Sequence, residues 1–166
     1  MSAADGSAGP AIVRSQAIAA FLEGAGVEYE LIEHEPTMSA AAEARAAHYA
    51  PEQVAKTVIL RDRGAFVLVA IPSSERLDLH KLRELLGATR RLRLADEDEI
   101  SREFPSMEVG AVPPFATAVP AEVMDRALLG QQRILCPAGD HRHSVLVDPR
   151  DVVRVSSARI ADVCMD

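Results

Sequence analysis

Few side chains in this sequence are chemically versatile, so each can be weighed. There are five histidines (His34, His48, His80, His141, His143), two cysteines (Cys136, Cys164), and among eighteen basic residues only two lysines, Lys56 and Lys81. A lysine is a compact point charge that reaches a phosphate or a carbonyl oxygen in a pocket too narrow for a guanidinium. Lys56 opens an apolar run, so it either serves such a pocket or snorkels to water from the end of a strand. The stretch Val109-Gly-Ala-Val-Pro-Pro-Phe115 offers a second feature. Gly110 permits a close backbone approach, and Pro113 and Pro114 stiffen the rest of the loop. A rigid loop with a free N–H beside a glycine can stabilise an oxyanion; the plainer alternative is a proline-rich surface turn. His141 and His143 would share a face if both lay on one strand, giving two metal ligands, but no Cys, Asp or Glu completes the set. They are expected as strand-end histidines, with no metal and no cofactor. Walker, GxGxxG, GxSxG and HExxH signatures are absent.

Periodicity gives the scaffold that carries these groups. Ile18, Phe21, Leu22 and Ala25 predict a helix from about Ser15 to Gly24, preceded by a flexible tail over residues 1–14. Val27, Tyr29 and Leu31 alternate with acids, which predicts a half-buried strand. Ser39 caps an alanine-rich helix ending near Tyr49 and Pro51. Strands over Thr57–Arg61 and Ala65–Ile71, joined by Asp62-Arg63-Gly64, form a hairpin. Asp78 caps a leucine-faced helix that Gly87 stops, and Asp96 with Glu99 makes a capping box. Pro105, Pro113, Pro114 and Pro120 keep residues 104–120 in loop. Strands near Gln132–Cys136 and Ser144–Val147 precede a short helix after Pro149. Hairpins outnumber long crossovers. The fold class is therefore mixed α/β, a single domain with a largely antiparallel mixed sheet and flanking helices.

Composition sets limits. The chain is 166 residues long, 48% apolar and 26% charged, enough for one core and too apolar for disorder. Its longest apolar run, Ala65–Ile71, is far short of the ~20 residues of a membrane helix, and no secretory leader opens it. Two cysteines without CxxC spacing argue against a disulfide scaffold, so the expectation is a cytoplasmic protein with no membrane partner. The net charge of −7 disfavours binding along a DNA duplex. From Arg76 to Arg93, however, six basic residues face two acids, a local patch that can hold one nucleic-acid end or form an ordinary solvated surface.

Four segments together carry a resemblance: VAKTVIL at Val54–Leu60, LDLHKLRELLG at Leu77–Gly87, the VGAVPPF loop, and AGDHRHSVLVDPRDV at Ala138–Val152. From about Ser15 onward the chain resembles the YbaK/ProX family, freestanding relatives of the editing domain of bacterial prolyl-tRNA synthetase. The resemblance implies a domain over residues 15–166 that hydrolyses the ester of a mischarged aminoacyl-tRNA in trans, without metal. The amino acid would be small, such as alanine, cysteine or serine, and tRNA-Pro is one candidate carrier. It implies that Lys56 holds the substrate near the terminal adenosine and that the Gly110 amide faces the scissile carbonyl, the two on opposite walls of one cavity. Thr57, Pro113, Pro114, Phe115 and Ser39 would line that cavity. Lys81, Arg90, Arg91 and Arg93 would meet the tRNA acceptor end; a synthetase is a further candidate partner, and the oligomeric state is left open.

Two departures from the family pattern stand out: Ala116 replaces the usual glycine after Phe115, and Ser144 stands where some members carry a carboxylate. With the acidic net charge they motivate a competing reading, a non-catalytic module binding an aminoacyl or nucleotide ligand or a synthetase partner on the same fold. Asp140 and His141 either orient water and ribose or simply make a turn. Cys136 is expected as a small core residue or pocket wall. Since the aminoacyl ester is already activated, orientation, oxyanion stabilisation and one water suffice, and specificity comes from pocket size.

Overall fold

A computed structural model describes residues 10–166. Helix α1 (Pro10–Gly24) starts five residues earlier than expected. Pro10 suits a first helical turn because its missing N–H would have no partner there. Residues 10–14 are therefore helix rather than tail, and the rest of the expected tail, residues 1–9, lies outside the described residues.

There follow β1 (Tyr29–Glu33), α2 (Ala40–Ala47), β2 (Ala55–Asp62), β3 (Ala65–Pro72), α3 (Leu79–Leu86), β4 (Arg93–Leu94) and α4 (Glu97–Glu103). After the proline-rich loop come β5 (Ala121–Asp125), β6 (Ile134–Pro137), β7 (His143–Val147), α5 (Pro149–Ser156) and β8 (Arg159–Ala161). Ser15, a candidate cap by sequence, lies inside α1, whereas the caps of α2, α3 and α4 are those the sequence predicts. Ser39 accepts from Ala42 N–H, Asp78 from His80 and Lys81, and Asp96 and Glu99 close a capping box. Each satisfies helix-end donors that would otherwise face water unpaired.

The strands form two sheets. One is antiparallel, ordered β1-β7-β6; the other is ordered β4-β2-β3-β5-β8. In the second, β2 runs antiparallel to β3 and β4, whereas β3–β5 and β5–β8 are parallel. A parallel bridge between Val54 and Leu135 ties the sheets together at the start of β2. The sheet is thus more mixed than the hairpins alone suggest, and β4, β5 and β8 have no counterpart among the predicted strands.

Alternation along β2 separates two cores. Ala55 belongs to the cluster with Phe115, Cys136 and Val145, and Ile59 to one with Leu68 and Val112. Val58 and Leu60 pack on the other face with Ile71 and α3's Leu82. Buried side chains of this size contribute roughly 1.5–3 kcal/mol each by leaving water. Among the described residues no helix is long and apolar enough to cross a membrane.

Candidate active site

Three segments are laced together around one cleft. The stretch after β1 is held to the β6–β7 turn by His34 N–H to Arg142 O and Thr37 N–H to His141 O, each 2.9 Å. The Gly110 turn is held to the same region by Glu108 N–H to Gly139 O at 2.8 Å and Gly139 N–H to Ala111 O at 2.9 Å. Glu108 Oε1 also accepts from His141 N–H at 2.9 Å. These bonds, together with the buried Ala111, Val112, Phe115 and Ala138 of the same loops, hold the cleft in a preformed shape.

The cleft is lined by His34, Thr37, Ser39, Glu43, Gly110, Ala111, Pro137, Asp140, His141 and His143, and is narrow, with a cavity volume of about 10 Å³, room for roughly one water. Gly110 sits at φ +88°, and a Cβ there would lie 3.3 Å from His141 Cε1. Glycine is required twice over, for the backbone angle and for the approach of the imidazole. Ala111 N–H is spent on Glu108 O, but among the described residues Gly110 N–H donates to nothing.

The histidines are not the pair the sequence suggests. His141 lies in the turn and His143 on the first residue of β7, so they do not share a strand face. Nor is His143 exposed: it is buried, with Nδ1 3.0 Å from Asp140 Oδ1. An ionised carboxylate only accepts, so Nδ1 carries a proton, and in the neutral imidazole Nε2 keeps a lone pair. Asp140 also accepts from Arg142 N–H at 2.7 Å. It therefore braces the turn and sets an imidazole tautomer at once. Among the described residues no group of three or more His, Cys, Asp or Glu is arranged to hold a metal.

Sequence reasoning missed Glu43. It is only 5% exposed, and its carboxyl meets the hydroxyl of Ser144, which is 0% exposed, in a short hydrogen bond. Ser144 Oγ in turn lies 2.8 Å from His34 Nε2. A carboxylate from α2 thus reaches Ser144. Burial pushes the Glu43 carboxyl up to about 7, the Ser144 bond opposing the shift in part. A signal was available: Glu43 is spaced three and four residues from Ala40 and Ala47, which pack on the buried face of α2. A charge on that face is unusual enough to mark a site.

Other expected site residues fall elsewhere. Lys56 and Gly110 do not share a cavity. Lys56 pairs in register with Ile71, shares that residue's face and lines an open groove with Arg76, Leu79 and Leu94. Its Nζ donates to Glu75 O at 3.0 Å. The physical reason is strand alternation, which puts Ala55 and Thr57 on the loop side and Lys56 on the α3 side. Thr57 is on the expected side, its buried Oγ1 without a partner among the described residues, yet it does not line the cleft.

Phe115 is core, fully buried and stacked on Phe21 at 6.0 Å between ring centroids; buried Pro113 and Pro114 do not line the cleft, and Pro114 faces a separate gap beside Leu68 and Met124. Ser39 lines the cleft but spends its hydroxyl on the α2 cap. Cys136 is wholly buried, and burial pushes its thiol far above the usual range, which makes it a core residue and no nucleophile. Ala116 takes φ +61°, the left-handed backbone that glycine favours, so the loop bend survives the loss of glycine at some strain.

The basic patch is partly spent. Lys81 is occupied by Asp162, Asp166 and Cys164 O, and Arg93 by Glu99. Arg90 and Arg91 are exposed with side chains free of ion pairs among the described residues. None of the four lines the cleft. Arg142, exposed and between the cleft-lining His141 and His143, is a basic residue that the sequence reading left out.

Residues 34–155 match the aminoacyl-tRNA editing domain, and the chain belongs to that family. It is 27% identical over 150 residues to the prolyl-tRNA editing protein ProX of Acetoanaerobium sticklandii, covering 86% of this chain and 90% of that one. Its fold matches the crystal structure of the hypothetical protein APE2540 with a TM-score of 0.81 and 28% identity, over 89% of this chain and 99% of the other. It also matches a candidate trans-editing enzyme for prolyl-tRNA synthetase, with a TM-score of 0.82 and 24% identity, over 92% and 98% of the two chains.

Proposed function

We propose that this protein is a freestanding deacylase that hydrolyses the ester between a small amino acid and a mischarged tRNA. The observation that carries the reading is the unengaged Gly110 N–H, presented at φ +88° in a cleft fixed by backbone hydrogen bonds. A fixed amide directed at the carbonyl oxygen strengthens as charge develops there and needs no reorganisation. His143 Nε2, a lone pair oriented through Asp140, is suited to accept from the ribose hydroxyl or the α-ammonium of the substrate. Arg142, Arg90 and Arg91 are suited to the phosphates of the acceptor end.

The wall made by Ala111 and Pro137 leaves little room, which favours alanine, serine or cysteine over larger side chains. Because one methylene discriminates by only ~1–3 kcal/mol, such amino acids are the ones a synthetase fails to reject. The two departures that favoured a non-catalytic module have compensations: Ala116 keeps the bend, and Ser144 is joined to a carboxylate.

The test is a panel of tRNAs charged with alanine, serine, cysteine and proline, incubated with the purified chain under metal chelation. Release of one or more small amino acids, with the cognate prolyl-tRNA spared, is expected. No release from any member would refute the reading. Loss of activity on chelation, restored by a divalent ion, would refute the metal-free chemistry.

A further inference from the structure

The chain of bonds Glu43–Ser144–His34 has no part in the oxyanion chemistry of Gly110, and its proton accounting is restrictive. His34 Nδ1 lies 2.8 Å from Glu35 O. A carbonyl cannot donate, so Nδ1 carries a proton. Nε2 then either accepts from the Ser144 hydroxyl, in which case Glu43 must be protonated to donate to Ser144, or it is protonated and donates to Ser144, whose hydroxyl turns to the Glu43 carboxylate. Both arrangements hold the same number of protons. They interconvert when one proton passes along the serine.

Glu43 and His34 both line the cleft, while Ser144 lies behind them. Both nitrogens of His34 are engaged, and one carboxyl oxygen, Glu43 Oε2, is bound to Ser144. Oε1 makes no hydrogen bond among the described residues. The titratable and charged groups facing Glu43 are the buried Cys136 thiol from β6, His34 from the segment after β1, Asp140 and His141 from the β6–β7 turn, and His143 at the start of β7. Asp140 is already committed to Arg142 N–H and His143, so among the described residues no cation is paired with Glu43 unless His34 takes the proton.

We propose that Glu43 is the general base of the deacylation, with Ser144 and His34 as positioning residues that keep its carboxyl ionisable inside a buried site. This rests on the hydrolytic reading and deepens it. Glu43 Oε1 takes a proton from water as the water oxygen bonds to the ester carbonyl carbon. The carbonyl electron pair moves to the oxygen facing Gly110 N–H. As the tetrahedral intermediate collapses, the bond from carbon to the ribose oxygen breaks and that oxygen takes the proton from Glu43, giving free amino acid and uncharged tRNA. A carboxyl titrating near neutrality is matched to both halves of that exchange.

The experiment is single-turnover deacylation from pH 5 to 9 on the panel member that the wild type hydrolyses, with Glu43→Gln, Ser144→Ala and His143→Asn alongside. The wild-type rate should rise with pH through a limb near 7. Glu43→Gln should lose roughly 100-fold or more and the limb with it. Ser144→Ala should move the limb to higher pH, because the bond that favours the carboxylate is gone. A Glu43→Gln protein that keeps either its rate within about threefold or its limb would overturn the proposal, as would a limb that disappears only in His143→Asn. Wild type inert toward every tRNA refutes the deacylase reading instead. Carboxyl-carbon NMR of the labelled wild type then still decides about Glu43: titration near 7 supports a poised acid, and titration in the ordinary glutamate range overturns it.

Discussion

Glu43→Gln has a consequence for stability that needs no substrate. In the unfolded chain the carboxyl titrates near its ordinary value of 4.5, and in the folded protein near 7. Between those values the native state holds a proton that the unfolded state has lost. Its stability contribution is therefore full below pH 4.5, falls as pH rises toward 7, and is gone above that. At ~1.36 kcal/mol per unit, the wild type loses about 3 kcal/mol across the window relative to a neutral isostere. Glutamine keeps the shape and can bond Ser144, so Glu43→Gln should match the wild type near pH 4.5 and exceed it by about 3 kcal/mol at pH 8, roughly 6–12 °C in Tm for a domain of this size. Urea melts of both proteins at pH 4.5, 6 and 8 measure the difference directly, and other carboxylates cancel in the comparison. A constant offset at all three pH values, or a deficit at pH 8, would refute the burial argument.

Other expectations rest on single contacts. Ala116→Gly relieves a positive φ and should stabilise by about 0.5–1 kcal/mol after the entropy cost of glycine, read as a Tm rise of a few degrees. Glu99, held well below the usual carboxylate range first by Arg93, then by Asp96 N–H and Arg61, contributes stability above its unfolded value that is lost as pH falls through the folded one. Glu99→Gln should accordingly lower Tm at pH 7 and much less at acid pH, which calorimetry checks. Lys56→Ala removes one bond to Glu75 O on the face away from the cleft and should slow deacylation far less than Glu43→Gln. An equal loss would mean that the lysine acts around the sheet edge, against the geometry.

Local signals were legible because they are carried by neighbouring residues. Ser39, Asp78 and Asp96 each cap the next helix in the chain, and Asp62-Arg63-Gly64 turns the hairpin. The strands β5 and β8 were hidden because their partners are remote: Val123 pairs with Val69 and Arg159, both in parallel, and neither short run alternates clearly. The Gly110 and Asp140–His141 turns were readable as motifs, and they do meet in one cleft. Which face of β2 turned toward them was not readable, because both faces are apolar and Lys56 stands beside Thr57. Glu43 reads as a solvated helix charge until α2 docks on β7 and closes over it.

The most direct measurement is release of amino acid from a mischarged tRNA by the wild type beside Gly110→Ala. An alanine at position 110 would be strained at φ +88° and would press its methyl to 3.3 Å from His141 Cε1, so relief of that strain is expected to turn the amide away from the carbonyl oxygen. Hydrolysis by the wild type and a loss of more than roughly tenfold in the variant are predicted, since a fixed oxyanion donor contributes roughly 10²–10³ in rate. Equal rates in the two proteins would place the chemistry outside this cleft.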